Sequence, residues 1–175
     1  MELFNYICWS MKKLILIIAI FFTLPAFSHE VEFIHQYLSD KYYPSFKEED
    51  DYDKATKMLK AGFNSLCGDT FCSGDYNNIT TLGIQCTVKG GMLEQCLWTF
   101  AGSHNKLHNG KLSLDSQKIV GCYLNVKGIH WKSFVHQVNK KADAQKGPDL
   151  LHNLTLDGQT DSIYDTIFKC LNGKF

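Results

Sequence analysis

The chain has 175 residues, with 18 basic and 18 acidic side chains, so its formal charge is zero with neutral histidines. That balance gives nucleic acid and anionic membrane surfaces little to attract, and neither is an expected partner. An apolar fraction of 45% with 13% aromatic residues is enough to close a core, which excludes wholesale disorder.

The chain opens with the features of an export signal. Lys12 and Lys13 precede an almost wholly apolar run from Leu14 to Leu24, and Ala26 and Ser28 supply a small-x-small cleavage pattern. The run is too short to cross a bilayer, which needs roughly 20 residues. Residues 1–28 are therefore expected to be a signal peptide, with Met11 the expected true start. Residues 29–175 are expected to form a single exported domain, periplasmic or secreted. Removing Glu2, Lys12 and Lys13 leaves 16 basic and 17 acidic residues, so the exported domain is nearly neutral too. Its six cysteines, Cys67, Cys72, Cys86, Cys96, Cys122 and Cys170, are an even number, as a set of disulfides requires. Six cysteines allow 15 pairings. The ones ranked first are Cys67 with Cys72, Cys86 with Cys96, and Cys122 with Cys170.

Apolar residues at helical spacing, Val31, Ile34, Tyr37 and Leu38, predict a short amphipathic helix over 30–43 that Pro44 ends. The acidic stretch 48–53 suits the first turn of a second helix, whose apolar stripe is Tyr52, Ala55, Met58, Leu59, Phe63 and Leu66. After Cys67 the period changes to two. Leu82, Ile84, Cys86 and Val88 alternate with polar or small residues, Gly90 and Gly91 make a turn, and Cys96, Trp98 and Phe100 again share a face. The two segments form a hairpin in which Cys86 and Cys96 lie close enough to bridge. Val120, Cys122, Leu124 and Val126 predict a third strand, and Phe134, His136 and Val138 a weaker fourth. Residues 140–148 are polar and end in Gly147 and Pro148, as a loop would, and 157–160 are a turn. Ile163, Tyr164, Ile167, Phe168 and Leu171 form a closing helical face that brings Cys170 to the sheet. The expected fold is α+β: a small antiparallel sheet packed on one side against N-terminal and C-terminal helices and stapled by up to three disulfides.

No motif commits the chain to a reaction. The densest cluster lies between the second helix and the hairpin, where Cys67, Gly68, Asp69, Cys72, Gly74, Asp75 and Tyr76 describe a tightly turning acidic loop. Asp69 and Asp75 there suit backbone capping, hard-cation ligation or acid–base work. The spacing is neither that of a calcium loop nor that of a redox dithiol motif. His104 and His108 stand four apart, but between Gly102 and Gly110, where a strand connection is expected rather than a helix. A zinc site therefore lacks both geometry and a third ligand, and no metal or cofactor is expected. His136 is expected as a partly buried histidine on the apolar side of its strand. Trp98 and Phe100 suit the core, whereas Trp131 and the Tyr42/Tyr43 pair are candidate exposed anchors.

These features favour a non-catalytic exported domain that binds another exported or periplasmic protein, as an inhibitor or immunity protein does. Candidate binding residues are Asp69, Asp75, Tyr76, His104 and Trp131. The alternatives are a small hydrolase or cation-dependent enzyme built on Asp69 and Asp75 with a histidine, and a structural envelope protein.

Overall fold

The computed structural model describes residues 30–66, 78–172 and 174 of the chain. The expected signal peptide, the acidic loop with Asp69, Asp75 and Tyr76, and the pairing of Cys67 with Cys72 lie outside the described residues.

A four-stranded antiparallel sheet in the order β1-β2-β3-β4 is the frame: β1 is Glu32–Phe33, β2 Asn78–Lys89, β3 Met92–His108 and β4 Lys111–Leu124. Five helices accompany it: α1 Ile34–Tyr42, α2 Lys47–Leu66, α3 Trp131–Ala144, α4 Pro148–Asn153 and α5 Ile163–Leu171. The protein is thus α+β, as its pattern predicts. The change of period places the boundary between the layers, with α2 burying Tyr52, Ala55, Leu59 and Phe63 on one stripe and the strands burying every second residue. Cys86, Cys96, Trp98, Phe100, Cys122 and Leu124 all point from the sheet toward the helices. The Phe63 ring of α2 lies 4.6 Å from that of Phe100 and 6.0 Å from that of Trp98. Each large side chain so buried contributes about 1.5–3 kcal/mol.

Polar details fix the layers. The indole N–H of Trp98 donates to Thr81 Oγ1 at 2.5 Å. Asn64 of α2 turns its side-chain oxygen to the edge of β2 and accepts from the Thr81 amide at 3.3 Å, so a strand edge the sheet leaves open is partly satisfied. At α5 the Ser162 hydroxyl accepts from the Asp165 amide at 3.1 Å while the Asp165 carboxylate accepts from the Ser162 amide and hydroxyl, a complete capping box. Those bonds hold the Asp165 carboxyl below its usual range.

Among the described residues, two disulfides staple the sheet and helices. Cys86 and Cys96 are directly opposite on β2 and β3, and Cys122 of β4 is bonded to Cys170 of α5 across a separation of 48 residues. Bridged cysteines are the mark of an oxidising compartment outside the cytoplasm. No helix among the described residues is long and apolar enough to cross a membrane.

Four expectations need correction. Phe134, His136 and Val138 are not a strand but part of α3. With Trp131, Phe134, Val135, Val138 and Ala142 buried, the spacing is helical, and His136 faces solvent. The polar segment 140–148 is shorter as a loop than expected, because α3 runs through Ala144 and α4 begins at Pro148. Leu82 does not share the inward face of Ile84, Cys86 and Val88. A bulge between Thr81 and Gly83 breaks the alternation and leaves it half exposed. The stretch containing His104 and His108 is not a connection but the far end of β3, paired to β4 as far as His108 and Lys111.

Candidate interaction surface

Among the described residues, the pairing of β3 with β4 extends past that of β2 with β3. β2 begins at Asn78, opposite Ser103, whereas the pairing of β3 with β4 continues through His104–Ser116, Asn105–Leu114, Lys106–Ser113 and Leu107–Leu112. Among the described residues the two strands therefore continue as a two-stranded ribbon, the arm, turned at Asn109 and Gly110. Both turn residues have positive φ, 51° and 73°, as a two-residue hairpin turn requires. An isolated two-stranded ribbon is marginal in water, so an exposed arm has little of its own to hold it.

The described helices cover one side of the sheet. On the other, the register lines up rungs across β3 and β4: Leu97 with Tyr123, Thr99 with Gly121, Ala101 with Ile119, Ser103 with Gln117, Asn105 with Leu114 and Leu107 with Leu112. A bulge after His104 keeps Leu114 and Leu112 on this same side. Thr80, Gly83, Gln85 and Thr87 of β2 and Phe33 of β1 extend the face sideways. None of these positions carries a charge, although 21% of the chain is Asp, Glu, Lys or Arg. The large apolar side chains here are strongly exposed: Leu107, Leu112 and Ile119 to more than 70%, and Phe33, Leu114 and Tyr123 to more than half. Leu97 is held closer, folded over Gly121, where an added Cβ would sit 2.9 Å from its Cδ1. Where β2 begins, a groove of about 890 Å³ opens between Leu82, Thr80, Ala101, Ser103 and Ile119.

The helix side of the arm has the opposite character. His104, Lys106, His108 and Lys111 project there, with Lys106 paired to Asp115 at 3.0 Å. His104 is half-buried, its Nδ1 enclosed and without a hydrogen-bond partner. Four residues along an extended strand separate His104 from His108 by roughly 13 Å, so the two rings cannot share one ion. Among the described residues no group of three or more His, Cys, Asp or Glu side chains gathers where it could hold a metal.

The remaining sequence candidates are scattered. Trp131, expected as an exposed anchor, is buried because it opens the apolar stripe of α3. It packs edge-on against Tyr42 at 5.8 Å, with its indole N–H enclosed and unpaired. Tyr42 is half-buried by that contact, and only Tyr43 of the pair is exposed. His130 caps α3 by accepting from the Lys132 amide, next to the β2–β3 turn, where it bridges to Met92. Met92 and His104 are twelve residues apart on one strand, roughly 40 Å, so the two histidines do not serve one site. The open face was missed because its apolar residues fall on both sides of an unrecognised turn. The signal that finds it is Asn109-Gly110 flanked by Leu107 and Leu112.

No family model, curated protein or solved structure matches the chain.

Proposed function

We propose that the chain is an exported, non-catalytic domain that binds another protein through the open face of its sheet and the arm that extends it. The reading includes an inhibitor or immunity factor acting in the periplasm or after secretion. One observation carries it: a continuous uncharged surface on which Ile119, Leu112 and Leu107 stand more than 70% exposed. Depletion of charge with enrichment of apolar and aromatic residues is what distinguishes the centre of a protein interface from the rest of a surface. Contiguous exposed apolar surface on a stable domain points to the same use. The face is rigid at its sheet end, where the Cys86–Cys96 bridge and the Trp98 layer lie directly behind it, so little ordering is needed on binding.

The test uses the tagged chain and its Ile119→Lys variant as parallel baits in periplasmic and secreted extracts. A partner held by the first and released by the second supports the reading. Repeated failure to recover a stable partner, or a partner held equally by both, overturns it.

A further inference from the structure

We infer that the occupant of the open face is a second copy of this chain, docked face to face about a two-fold axis that runs along the Ala101–Ile119 rung. The inference rests on the protein-binding reading above and adds the identity of a partner.

A two-fold interface brings a surface against itself, so the surface must be complementary to its own reversed image. This one is. Counting outward from Ala101–Ile119, the next rung each way is polar or small: Thr99–Gly121 on one side and Ser103–Gln117 on the other. The second rung each way carries large apolar side chains: Leu97–Tyr123 on one side, and Leu114 beside Asn105 on the other. Reversal along the strands therefore lays Tyr123 over Leu114 of the other copy, Thr99 over Ser103, Ile119 over itself, Leu97 over Asn105, and Gly121 over Gln117. Charge permits the same arrangement. A charged face repels its own copy, whereas no position on these rungs is charged, so no like-charge pair forms. Two sheets stacked in this way lie about 10 Å apart, the spacing of a β-sandwich. Because a two-fold contact uses the same patch on both partners, it closes at two copies and does not propagate into a filament.

The experiment is sedimentation over a dilution series of the full-sequence chain, purified without reductant in the form in which the cell leaves it. The expected result is a monomer–dimer equilibrium in the wild type. Ile119→Lys sets two ammonium groups together on the axis, and dimerisation should weaken by about a hundredfold or more, as like charges across an interface cost several kcal/mol. The position is 72% exposed, so unfolding of the monomer should be unchanged. Arrangement is read separately with a short bis-maleimide on Leu114→Cys and Tyr123→Cys proteins. Cross-linking should occur in the mixture of the two and not in Leu114→Cys alone. A wild type that stays monomeric, a dimer indifferent to Ile119→Lys, or cross-linking of Leu114→Cys to itself overturns the inference. A monomer that nevertheless captures a different protein through Ile119 also overturns it, and leaves the protein-binding reading in place.

Discussion

Replacing Tyr52 by phenylalanine should stabilise the protein, although Tyr52 sits at the centre of the core. The ring is fully buried on the inward stripe of α2, edge-on to His35 at 5.3 Å, yet its hydroxyl has no hydrogen-bond partner. An enclosed polar group left unpaired costs about 1–3 kcal/mol, and phenylalanine keeps the packing while removing that group. Tyr52→Phe should therefore gain about 1 kcal/mol at neutral pH, or roughly 3 °C in Tm for a domain of this size. The gain should grow in alkali. Burial pushes the Tyr52 phenol far above the ordinary tyrosine value, with the neighbouring Asp53 carboxylate adding to the effect. With the folded pKa above the unfolded value of about 10, the unfolded chain loses its proton first. Stability from this group is then complete below pH 10 and falls above it by about 1.4 kcal/mol per pH unit. Phenylalanine has no such loss, so the gap between variant and wild type should widen between pH 9 and pH 11, to about 2 kcal/mol. Urea unfolding of both proteins across that range measures it, and the difference cancels every other titrating group. A variant less stable than wild type at neutral pH would show that the hydroxyl has a partner. A constant gap would show that the phenol titrates normally.

Four further outcomes follow from the packing. Cys170 is half-buried, whereas Cys86, Cys96 and Cys122 are enclosed, so mild reductant followed by alkylation and mass analysis should open Cys122–Cys170 before Cys86–Cys96. Losing that bridge should lower stability by about 4 kcal/mol on loop-closure entropy, against about 2.7 for the ten-residue separation of the other. Gly62→Val should cost about 1–3 kcal/mol in denaturant unfolding, because even a Cβ at Gly62 would stand 3.0 Å from the Gly147 carbonyl oxygen, where α2 crosses the start of α4. Ser162→Ala should cost about 1 kcal/mol by removing the cap of α5, and unchanged stability would mean that the capping box is not formed in solution.

How much of this was legible in the sequence depended on whether a segment buries one face with one period. The stripe from Tyr52 to Leu66 could only be a helix, and Cys86, Cys96, Trp98 and Phe100 at alternate positions could only line one side of a hairpin. The α3 segment was ambiguous over five residues, since Phe134, His136 and Val138 fit period two. Adding Trp131, Val135 and Ala142 resolves it as helical. The arm was illegible for a different reason. Its outer part buries neither face, so Lys106 to Asp115 show no burial pattern, and only its turn chemistry at Asn109 and Gly110 announces a hairpin. Exposure of a particular aromatic is equally hidden. Trp131 and Tyr43 look alike in sequence, and the helix that carries Trp131 buries it while Tyr43, just past the end of α1, is exposed.

Shortening the arm tests stability and the proposed association separately. The described core ends near Phe100 and Val120, and beyond the Ser103–Gln117 rung the arm adds exposed leucines and one ion pair, Lys106–Asp115, both of whose members are substantially solvent-exposed. Such a pair contributes at most about 1 kcal/mol. Residues Asn105 to Asp115 can therefore be replaced by Asn-Gly, which closes His104 onto Ser116 with a two-residue turn suited to antiparallel strands. The shortened chain should keep its Tm to within a few degrees, because nothing buried is lost. It should also lose the Leu114 contact with Tyr123 of a second copy and the exposed Leu107–Leu112 rung, and with them most of its association. Calorimetry and sedimentation on the same sample read the two effects independently. A loss of more than about 3 kcal/mol in stability would make the arm a structural element, and undiminished association would place the contact on the sheet alone.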